Sequence, residues 1–517
     1  MKNVHYWLLL FVLLKIYSCF SIKWALMEND KWLWYYLIMK VLAIDLGATS
    51  GRIMTITHIN HQFSYEENAR FLNKTYYDKD GYLRWDFDYL LNNIKEGIKV
   101  ALAKNKDIES IGIDTWGVDY GLLKNGKLIN DPICYRDVHS FLGRKEVLQK
   151  ISFNDLYFQT GIQNLHFNTI FQLACDKTNF GEVDSFLMIP DLIAYFLTGE
   201  ARLEETNAST TSLYIKKDGK MAKTLLDIIN IPEKIFPKII KAGELYGYLN
   251  KEFLPINTNR KIKVIAVPSH DTASAVLGTN GEKDFVYISS GTWSLIGVEL
   301  KEPIMNEKSC KYNFTNEIGY NSSVRLLKNT MGMFLINEIR NDYKNKGIDI
   351  PLNKIASLIK ESKDINSFIN VNDPIFEAPG DMLNKLDKYL TLTKQEKPKT
   401  AGECMKLIYK SMVKTYKQII LELEEITSKK INTIVIVGGG NQAEVLNQLL
   451  ADECNMKVII GSSEATIFGN AMAQFIALKD IKDVVEGRND ISRSIETKMY
   501  YPKGYKGENI WVLMKTI

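Results

Sequence analysis

The sequence contains few cysteines and histidines, and neither residue recurs at the spacing of a metal site. The six cysteines are scattered through 517 residues without a CxxC pair. That distribution argues against a disulfide framework or a cysteine zinc site and favours a reducing compartment, so we expect a cytoplasmic protein. The six histidines show no HExxH motif or other metal-ligand spacing, which argues against a zinc-peptidase type of site.

An excess of charge of one sign is also missing. The 65 basic and 61 acidic residues leave a net charge of +4, which gives no reason to expect a nucleic acid or an anionic membrane as partner. We infer no obligate protein partner either. Hydrophobic residues make up 46% of the chain and charged residues 24%, which is an ordinary globular composition. The length suits two domains of similar size.

No apolar run in the sequence is long enough to span a membrane. Residues 6–22 are mostly apolar, but Lys15 interrupts them. The uninterrupted run at 7–14 is shorter than the roughly 20 residues that a span needs. No small-x-small cleavage site follows. Because Met39 directly precedes the first convincing strand, we expect residues 1–38 to be a leader or a mis-assigned start outside the fold, with a membrane anchor as the alternative.

The sequence does contain a strand–turn–strand pattern that occurs twice and alternates with helices. Short apolar strands are predicted at 41–45 and 53–57, and again at 285–288 and 295–298, each pair joined by a turn of small and hydroxyl residues. Further strands are predicted at 111–113, 264–267, 431–437 and 458–460, and helices at 85–102 (N-cap Asp86), 443–454 and 465–477. The pattern indicates an α/β chain of two similar halves, with a boundary between 277 and 283.

The turn of the first hairpin suits a polyphosphate. It reads Asp-Leu-Gly-Ala-Thr-Ser-Gly-Arg at residues 45–52. Glycines allow the backbone to approach phosphate, and backbone amides and hydroxyl groups can donate to its oxygens. An acid at the strand end can hold Mg²⁺, directly or through water. The alternative is a simple hairpin turn with an Asx cap, which needs glycine but not the whole cluster.

Two later turns have related chemistry. Residues 289–292 (Ser-Ser-Gly-Thr) repeat the small, hydroxyl-rich turn on the second hairpin, and a glycine triplet at 438–440 lies between a strand and a helix. With Ala443 the triplet also fits G-x-G-x-x-A, and Glu464 could then act as the ribose-binding acid of a nicotinamide-dependent oxidoreductase. That alternative leaves the two hairpin turns unexplained.

His270 and Asp271 are the catalytic candidates. They follow the strand predicted at 264–267, and a carboxylate at a strand end can accept a proton from an attacking hydroxyl. A capping or salt-bridged aspartate and a hydrogen-bonded structural histidine are the alternatives. The same alternative applies to three further acids, Asp114, Asp119 and Asp137.

Taken together and in order, these residues resemble the FGGY carbohydrate kinases of the actin-like ATPase superfamily. The similarity covers about residues 39–477 and rests on eight segments: 45–52, 112–119, 135–137, 167–169, 269–273, 289–294, 328–329 and 438–440. It implies two actin-like (ribonuclease H-like) α/β domains around a central cleft. The expected divisions are an N-terminal sugar and phosphate domain at 39–280, a C-terminal nucleotide domain at 281–490 and a tail at 491–517.

Within the family, the motif set is most similar to members that phosphorylate O1 of L-rhamnulose. A kinase for another ketose, such as L-fuculose, is the alternative within the family. A non-enzymatic, actin-like nucleotide switch is a third hypothesis, since it would keep the phosphate turns but need neither a sugar nor a base.

The resemblance also implies ATP and Mg²⁺ as cofactors and a role for each matching position. Asp271 would be the proton acceptor, and Asp45 would hold Mg²⁺ directly or through water. The implied ATP contacts are Asp45, Ala48, Thr49, Ser50, Gly51, Arg52, Thr292, Asn337 and Gly439. The implied sugar contacts are Gly117, His270, Asp271, Thr272 and Asn329. At Asn337 the relatives carry a glutamine, and Ala443 replaces an asparagine that follows the glycine triplet.

Overall fold

The computed structural model describes residues 22–28, 31–36, 38–254, 260–280 and 284–504. Most of the predicted leader, including its apolar run, lies outside the described residues. In the described part of that segment, strands β1 (Ile22–Glu28) and β2 (Lys31–Tyr36) pair with each other as a separate antiparallel sheet. Among the helices that the structure describes, none combines the length and the apolar composition needed to cross a bilayer.

The remaining elements alternate along the chain. The strands are β3 Met39–Leu46, β4 Ser50–Ile59, β5 Gln62–Leu72, β6 Thr75–Tyr77, β7 Leu83–Trp85, β8 Ile108–Thr115, β9 Tyr120–Lys124, β10 Lys127–Leu128, β11 Ser185–Met188, β12 Leu203–Glu204, β13 Tyr214–Ile215, β14 Lys220–Met221, β15 Ile239–Ile240, β16 Leu245–Tyr248, β17 Lys263–Ile265, β18 Val286–Ser290, β19 Trp293–Leu300, β20 Thr315–Ile318, β21 Val324–Met331, β22 Thr433–Val437, β23 Lys457–Ile460 and β24 Lys498–Tyr500. The helices are α1 Phe87–Lys104, α2 Ser140–Lys150, α3 Phe153–Thr160, α4 Thr169–Cys175, α5 Ile189–Thr198, α6 Glu205–Ala208, α7 Lys223–Ile228, α8 Asp271–Leu277, α9 Glu307–Lys311, α10 Phe334–Asn345, α11 Ile355–Glu361, α12 Met382–Leu392, α13 Ala401–Thr427, α14 Glu444–Cys454, α15 Ala465–Ala477 and α16 Val484–Ser494.

Two large sheets with the same plan organise these elements. In the first sheet the strand order is β16-β17-β8-β3-β4-β5, in which β3, β4 and β5 form an antiparallel meander and β8 and β17 run parallel to β3. In the second the order is β20-β21-β19-β18-β22-β23-β24, with a meander of β18, β19 and β21 and with β22 and β23 parallel to β18. The predicted α/β fold of two actin-like halves is therefore confirmed.

The alternation of side chains along β3 determines what covers each face of the first sheet. Leu42 and Ile44 pack in the same buried cluster as α1, while Val41 and Ala43 point to the other face and pack with α15. Helix α1 begins as predicted, with the Asp86 side chain accepting a hydrogen bond from the Tyr89 amide (3.0 Å). Because helices cover both faces, the central strand is an apolar run rather than an alternating one.

Helix α15 lies late in the chain but packs against the first sheet. The Gln474 amide donates to the Leu42 carbonyl (3.1 Å) and accepts from the Ser110 hydroxyl (2.7 Å). Helices α8 and α15 cross at Gly278 and Gly469, where an added Cβ would lie 2.0 Å and 1.8 Å from backbone oxygens of the facing helix. The chain therefore returns to the first half after it has built most of the second.

The predicted limits of the C-terminal domain lie between residues 280 and 281 and between residues 490 and 491. The predicted boundary between 280 and 281 falls partly outside the described residues. At the C-terminal end, residues 498–500, which the sequence places in a tail, form β24, the edge strand of the second sheet. Strand β24 is only three residues long, which explains why hydrophobic alternation gave no signal for it.

The close crossing of α8 and α15 predicts that a glycine-to-alanine substitution inside a helix will destabilise the protein rather than stabilise it. Replacing glycine by alanine inside a helix normally stabilises it by about 1 kcal/mol. At Gly469 the new methyl group would meet the Ser274 carbonyl oxygen at 1.8 Å, so we expect Gly469→Ala to destabilise the protein by about 1–3 kcal/mol and to lower its Tm. Gly487→Ala in α16 is the matched control, since its methyl group would first meet the flexible Met472 thioether. A raised Tm for Gly469→Ala would contradict the close crossing.

Candidate active site

One cavity of about 590 Å³ lies between the two sheets, and both halves of the chain line it. The turn of the first hairpin (47–50), the turn of the second (289–292) and residues 438–439 of the glycine triplet all contribute to its wall, together with Asp271 and Asn329. The volume falls within the range of roughly 300–1,000 Å³ that is typical of small-molecule sites. The structure thus brings together turns that are separated by up to several hundred residues in the sequence.

The first hairpin turn presents its backbone and hydroxyl groups to the cavity. The turn is closed by a hydrogen bond from the Gly47 amide to the Ser50 carbonyl (3.0 Å). Asn73 holds the turn from behind, since its side-chain amide donates to the Gly47 carbonyl (2.7 Å). Ala48, Thr49 and Ser50 line the cavity, as predicted for phosphate contacts. Small and hydroxyl-bearing residues at a turn of this kind suit an anion.

Gly51 differs from its neighbours, because it does not line the cavity. A Cβ on Gly51 would lie 2.4 Å from the Phe71 ring and 2.6 Å from the Leu46 side chain. Glycine is therefore needed here for the packing of β4 against β5, and its predicted contact with ATP has no support in this position.

Arg52 joins the two halves at the edge of the cavity. Its guanidinium donates to carboxylate oxygens of Asp45 and of Glu464, which belongs to the second half. Burial lowers the pKa of Arg52, but the two carboxylates outweigh that effect and raise it. Glu464, the possible ribose-binding acid of an oxidoreductase, is thus held in an ion pair with Arg52. Any metal cation bound by Asp45 would share the Asp45 carboxylate with the Arg52 guanidinium.

Asp114 lies behind Asp45 and is fully buried. Burial and the negative charge of Asp45 raise the pKa of Asp114 well above its usual range. The Asn470 side chain donates to its Oδ2 atom (2.6 Å). Asp114 therefore lies behind the cavity and does not line it.

The three glycines of the triplet serve different purposes. Gly438 has a left-handed backbone (φ +84°), and a Cβ there would lie 2.7 Å from the Ser290 carbonyl oxygen; at Gly440 a Cβ would lie 2.1 Å from the Ser290 hydroxyl. Around Gly439 no described atom comes within 4 Å of an added Cβ. The triplet thus packs β18 against the start of a 3₁₀ turn at Gly439–Gln442, while Gly439 alone leaves open space on the cavity side.

This difference predicts the outcome of two substitutions. Gly439→Val should leave folding intact but fill space that a bound nucleotide would use, so we expect KM for ATP to rise about 5- to 150-fold, which corresponds to about 1–3 kcal/mol of overpacking. Gly438→Val should lower Tm instead, because the left-handed backbone and the nearby Ser290 carbonyl oxygen would strain a valine there even without a bound ligand. Steady-state kinetics and thermal melts of both variants check this. An unchanged KM for ATP in Gly439→Val would remove that residue from the nucleotide site.

Asp271 begins α8 rather than ending a strand. The predicted strand at 264–267 is shorter than expected, since β17 ends at Ile265. The extended chain that follows is fixed beside β8, where the Thr115 amide donates to the Ser269 carbonyl (2.8 Å). Buried Glu204 also holds this segment by accepting from the Ser269 hydroxyl (2.7 Å). Asp271 is thus positioned by the start of α8 and by the contacts that Ser269 makes with β8 and with Glu204.

The Asp271 carboxylate reaches the cavity. Its side chain is 30% exposed, and its Oδ1 atom accepts a hydrogen bond from the Thr272 hydroxyl (3.1 Å) and lies 3.5 Å from Nε2 of His270. Burial raises the pKa of Asp271; His270 works against this and Asp45 adds to it. A carboxylate with a raised pKa is a better proton acceptor than an ordinary surface aspartate.

His270 is held by a buried ion pair that sequence reasoning missed. Its Nδ1 atom lies 3.2 Å from Glu317 Oε2 and 3.0 Å from Arg325 Nη2, and Arg325 donates to Glu317 at 3.0 Å. Burial favours the neutral form of Glu317, but Arg325 and His270 overcome it and lower its pKa. Glu317 and Arg325 come from β20 and β21 of the second half, and no motif in the sequence marks them.

The other predicted sugar contacts line the same cavity, as do several apolar side chains. Gly117, Thr272 and Asn329 are on its wall, and the backbone N–H of Asn329 donates to the Gln163 side-chain oxygen (3.4 Å). Val118 has a left-handed backbone (φ +68°), which is rare for a β-branched residue. It is kept there because its amide donates to the Thr210 hydroxyl (3.1 Å) and its carbonyl accepts from the hydroxyl of Thr169 (2.7 Å).

Three predicted or considered residues lie elsewhere. Asn337 is exposed on α10, accepts from Arg340 (3.3 Å) and does not line the cavity. Asp119 accepts from the indole N–H groups of Trp85 (2.7 Å) and Trp116 (2.9 Å), and burial raises its pKa to about 6. Asp137 accepts from the Leu83 amide (2.6 Å). Asp119 therefore supports Trp116 on the cavity wall, whereas Asp137 holds Leu83 and His139, neither of which lines the cavity.

Comparison with known proteins agrees with this arrangement. Residues 40–278 match the N-terminal domain, and residues 286–478 the C-terminal domain, of the FGGY family of carbohydrate kinases. The chain is 39% identical over 465 residues to a rhamnulokinase from Ligilactobacillus salivarius, covering 89% of this chain and 95% of the relative. It is 36% identical over 467 residues to a rhamnulokinase from Bacteroides thetaiotaomicron, with 89% and 95% coverage.

Solved structures show the same fold at much lower identity. A ligand-bound xylulose kinase from Lactobacillus acidophilus superposes with a TM-score of 0.73 at 16% identity, covering 90% of this chain and 94% of that one. A Plasmodium falciparum glycerol kinase with ADP gives a TM-score of 0.72 at 16% identity, with the same coverage. At these identities the likeness concerns the fold alone.

Proposed function

The chain belongs to the FGGY family of carbohydrate kinases, and from this membership we propose that it transfers the γ-phosphoryl group of ATP to O1 of L-rhamnulose. The observation that carries the proposal is the meeting of Asp271 with both hairpin turns in one cavity. The products would be ADP and L-rhamnulose 1-phosphate. Eight relatives at 35–39% identity, each named rhamnulokinase, support the choice of sugar.

The nucleotide would bind between the two turns. Ala48, Thr49 and Ser50 on the first half and Thr292 on the second would contact the phosphates, with the adenosine beside Gly439. Mg²⁺ would neutralise phosphate charge during transfer. Asp45 fits a contact with that ion through water, because Arg52 already occupies one of its carboxylate oxygens.

The sugar would bind deeper, near Gly117, His270, Thr272 and Asn329. Its O1 hydroxyl would donate to Asp271. As the bond from O1 to the γ-phosphorus forms and the bond from that phosphorus to the β–γ bridging oxygen breaks, the proton passes to the Asp271 carboxylate. Catalysis then depends mainly on positioning and on charge neutralisation.

Apolar side chains on the sugar side of the cavity support a deoxyketose. Trp116, Val118 and Phe167 line it, and L-rhamnulose carries a methyl group that such a wall accommodates better than a hydroxymethyl group. An apolar wall rejects an analogue that adds a hydroxyl group only by about 10²-fold, so it favours a deoxyketose without excluding other ketoses.

A panel of substrates tests the choice of sugar. We expect L-rhamnulose to give the highest kcat/KM among L-rhamnulose, L-fuculose, xylulose, ribulose and glycerol, with phosphate found at O1 by NMR of the product. A clear preference for another of these compounds would overturn the substrate assignment while leaving the kinase activity in place.

A further inference from the structure

A second cluster of ligating side chains lies away from the cavity, where the β4–β5 hairpin meets α16. We propose that His61, Glu486 and Asp490 bind a divalent transition-metal ion of the Zn²⁺ type. None of these residues lines the substrate cavity. The site would therefore be separate from any Mg²⁺ that accompanies ATP.

The three ligand atoms have the spacing of a tetrahedral site. His61 Nδ1 lies 3.3 Å from Asp490 Oδ2 and 3.7 Å from Glu486 Oε1, and all three atoms lie within 4.8 Å of one another. Ligands at about 2.0–2.1 Å from a tetrahedral zinc ion are about 3.3 Å apart. A small closing movement of Glu486 would complete the set. One imidazole and two carboxylates suit Zn²⁺ better than Mg²⁺ or Ca²⁺, which prefer oxygen ligands alone.

Local structure explains why these side chains converge. Asn60 and His61 form the two-residue turn of the hairpin, and both have left-handed backbones (φ +51° and +57°), as a type I′ turn requires. Glu486 and Asp490 are four residues apart on α16 and so share one helix face. The Phe63 amide donates to the Ser494 hydroxyl (2.7 Å) and docks the hairpin on that helix.

The two carboxylates are already oriented by neighbours, and the ligand atom of Asp490, Oδ2, faces both His61 and His58. Asp490 is fully buried; its Oδ1 accepts from Arg493 (2.9 Å), while Oδ2 lies 3.1 Å from Nε2 of His58. The other oxygen of Glu486 accepts from the Lys482 amide (2.8 Å). Such outer contacts commonly fix the carboxylates that bind a metal.

His58, which contacts Asp490, extends the contacts around the proposed metal ligands. His58 is almost entirely buried, and its Nδ1 atom lies 2.7 Å from Asp480 Oδ2. His58 therefore stands between two carboxylates and keeps Asp490 from turning away from the hairpin. The outer side of the site is open, since the His61 side chain is 53% exposed and that of Glu486 is 32% exposed. A metal could enter from solvent and keep a water as its fourth ligand.

The site was not detectable from sequence spacing. His61 lies more than 400 residues before Glu486 and Asp490, and only the return of α16 to the first sheet brings them together. A bound ion would clip that returning helix to the hairpin. It would therefore stabilise the folded chain without taking part in phosphoryl transfer.

The test uses the full chain, treated with chelator, dialysed and kept free of nucleotide. Calorimetric titration with ZnCl₂ should show one tight equivalent, and Tm should rise with added Zn²⁺ but not with equal MgCl₂. His61→Asn removes the imidazole but introduces a residue that tolerates a left-handed turn. His61→Asn and Glu486→Gln should each weaken Zn²⁺ binding at least about 10-fold. Both substitutions lie at accessible positions, so folding, checked by circular dichroism, should be kept.

A matched control separates this site from general histidine binding. His166→Asn removes a histidine that stacks on Phe141 and is not a member of the His61, Glu486 and Asp490 cluster, and it should bind Zn²⁺ like the parent protein. Absence of a tight equivalent in the parent, or equal binding by the parent and His61→Asn, would overturn the proposal and leave the cluster as an ion-pair contact only.

Discussion

Asp271→Asn should lower kcat by at least about 10²-fold, because asparagine keeps the shape and one acceptor oxygen but cannot take the proton. The loss of a general base typically costs about 10²–10⁴-fold. In a loose transition state the proton moves late, so part of the loss would reflect orientation of the attacking hydroxyl. Affinity for ATP should be nearly unchanged, since the proposed nucleotide contacts lie on the hairpin turns and at Gly439 and not at Asp271.

Two neighbouring acids provide the controls. Asp119→Asn and Asp137→Asn disturb carboxylates that accept from Trp116 and from the Leu83 amide, so they should act on Tm or on sugar KM more than on kcat. Measuring kcat, KM and Tm for all three variants separates these effects. Near-normal kcat in Asp271→Asn would exclude it as the base.

Glu317→Gln should strongly destabilise the protein and weaken sugar use. Arg325 is fully buried, and removing the carboxylate that neutralises it leaves an unpaired buried charge, which typically costs about 3–5 kcal/mol. His270 would also lose the carboxylate beside its Nδ1 atom. We therefore expect a lower Tm and a higher KM for the sugar, measured by thermal melts and steady-state kinetics, with a smaller change in KM for ATP.

A double variant tests whether the two effects have separate causes. Glu317→Gln combined with Arg325→Met removes both charges, and replacing a whole buried ion pair is often neutral for stability. The double variant should recover much of the lost Tm but not the sugar KM, because His270 still lacks its support. If sugar KM recovered together with Tm, the pair would serve stability alone and not the orientation of His270.

The parts of the fold that local patterns encode were predictable. The strands of both hairpins, α1 with its Asp86 cap, and α15 are local features, since apolar periodicity and turn residues specify them within a few residues of chain. Several candidate site residues were found for the same reason: Asp271, Thr292 and Gly439 belong to compact motifs whose chemistry suits phosphate or proton transfer.

The parts that depend on distant contacts were not predictable. Helix α15 is apolar over most of its surface, which indicates burial but not that it packs on the first sheet. Glu317 and Arg325 are unremarkable in sequence, and only the approach of β20 and β21 to His270 gives them a role. Gly51 shows another long-range requirement, because the Phe71 ring leaves no room for a Cβ at this position of the phosphate motif.

The most direct measurement of the central claim is release of ADP from ATP in the presence and absence of L-rhamnulose. The account predicts ATP turnover that depends on the sugar, with phosphate transferred to the sugar in equal amount to the ADP released and no reaction with a nicotinamide cofactor. Slow ATP hydrolysis at the same rate with and without any sugar would contradict it and would instead support a nucleotide switch on the same fold.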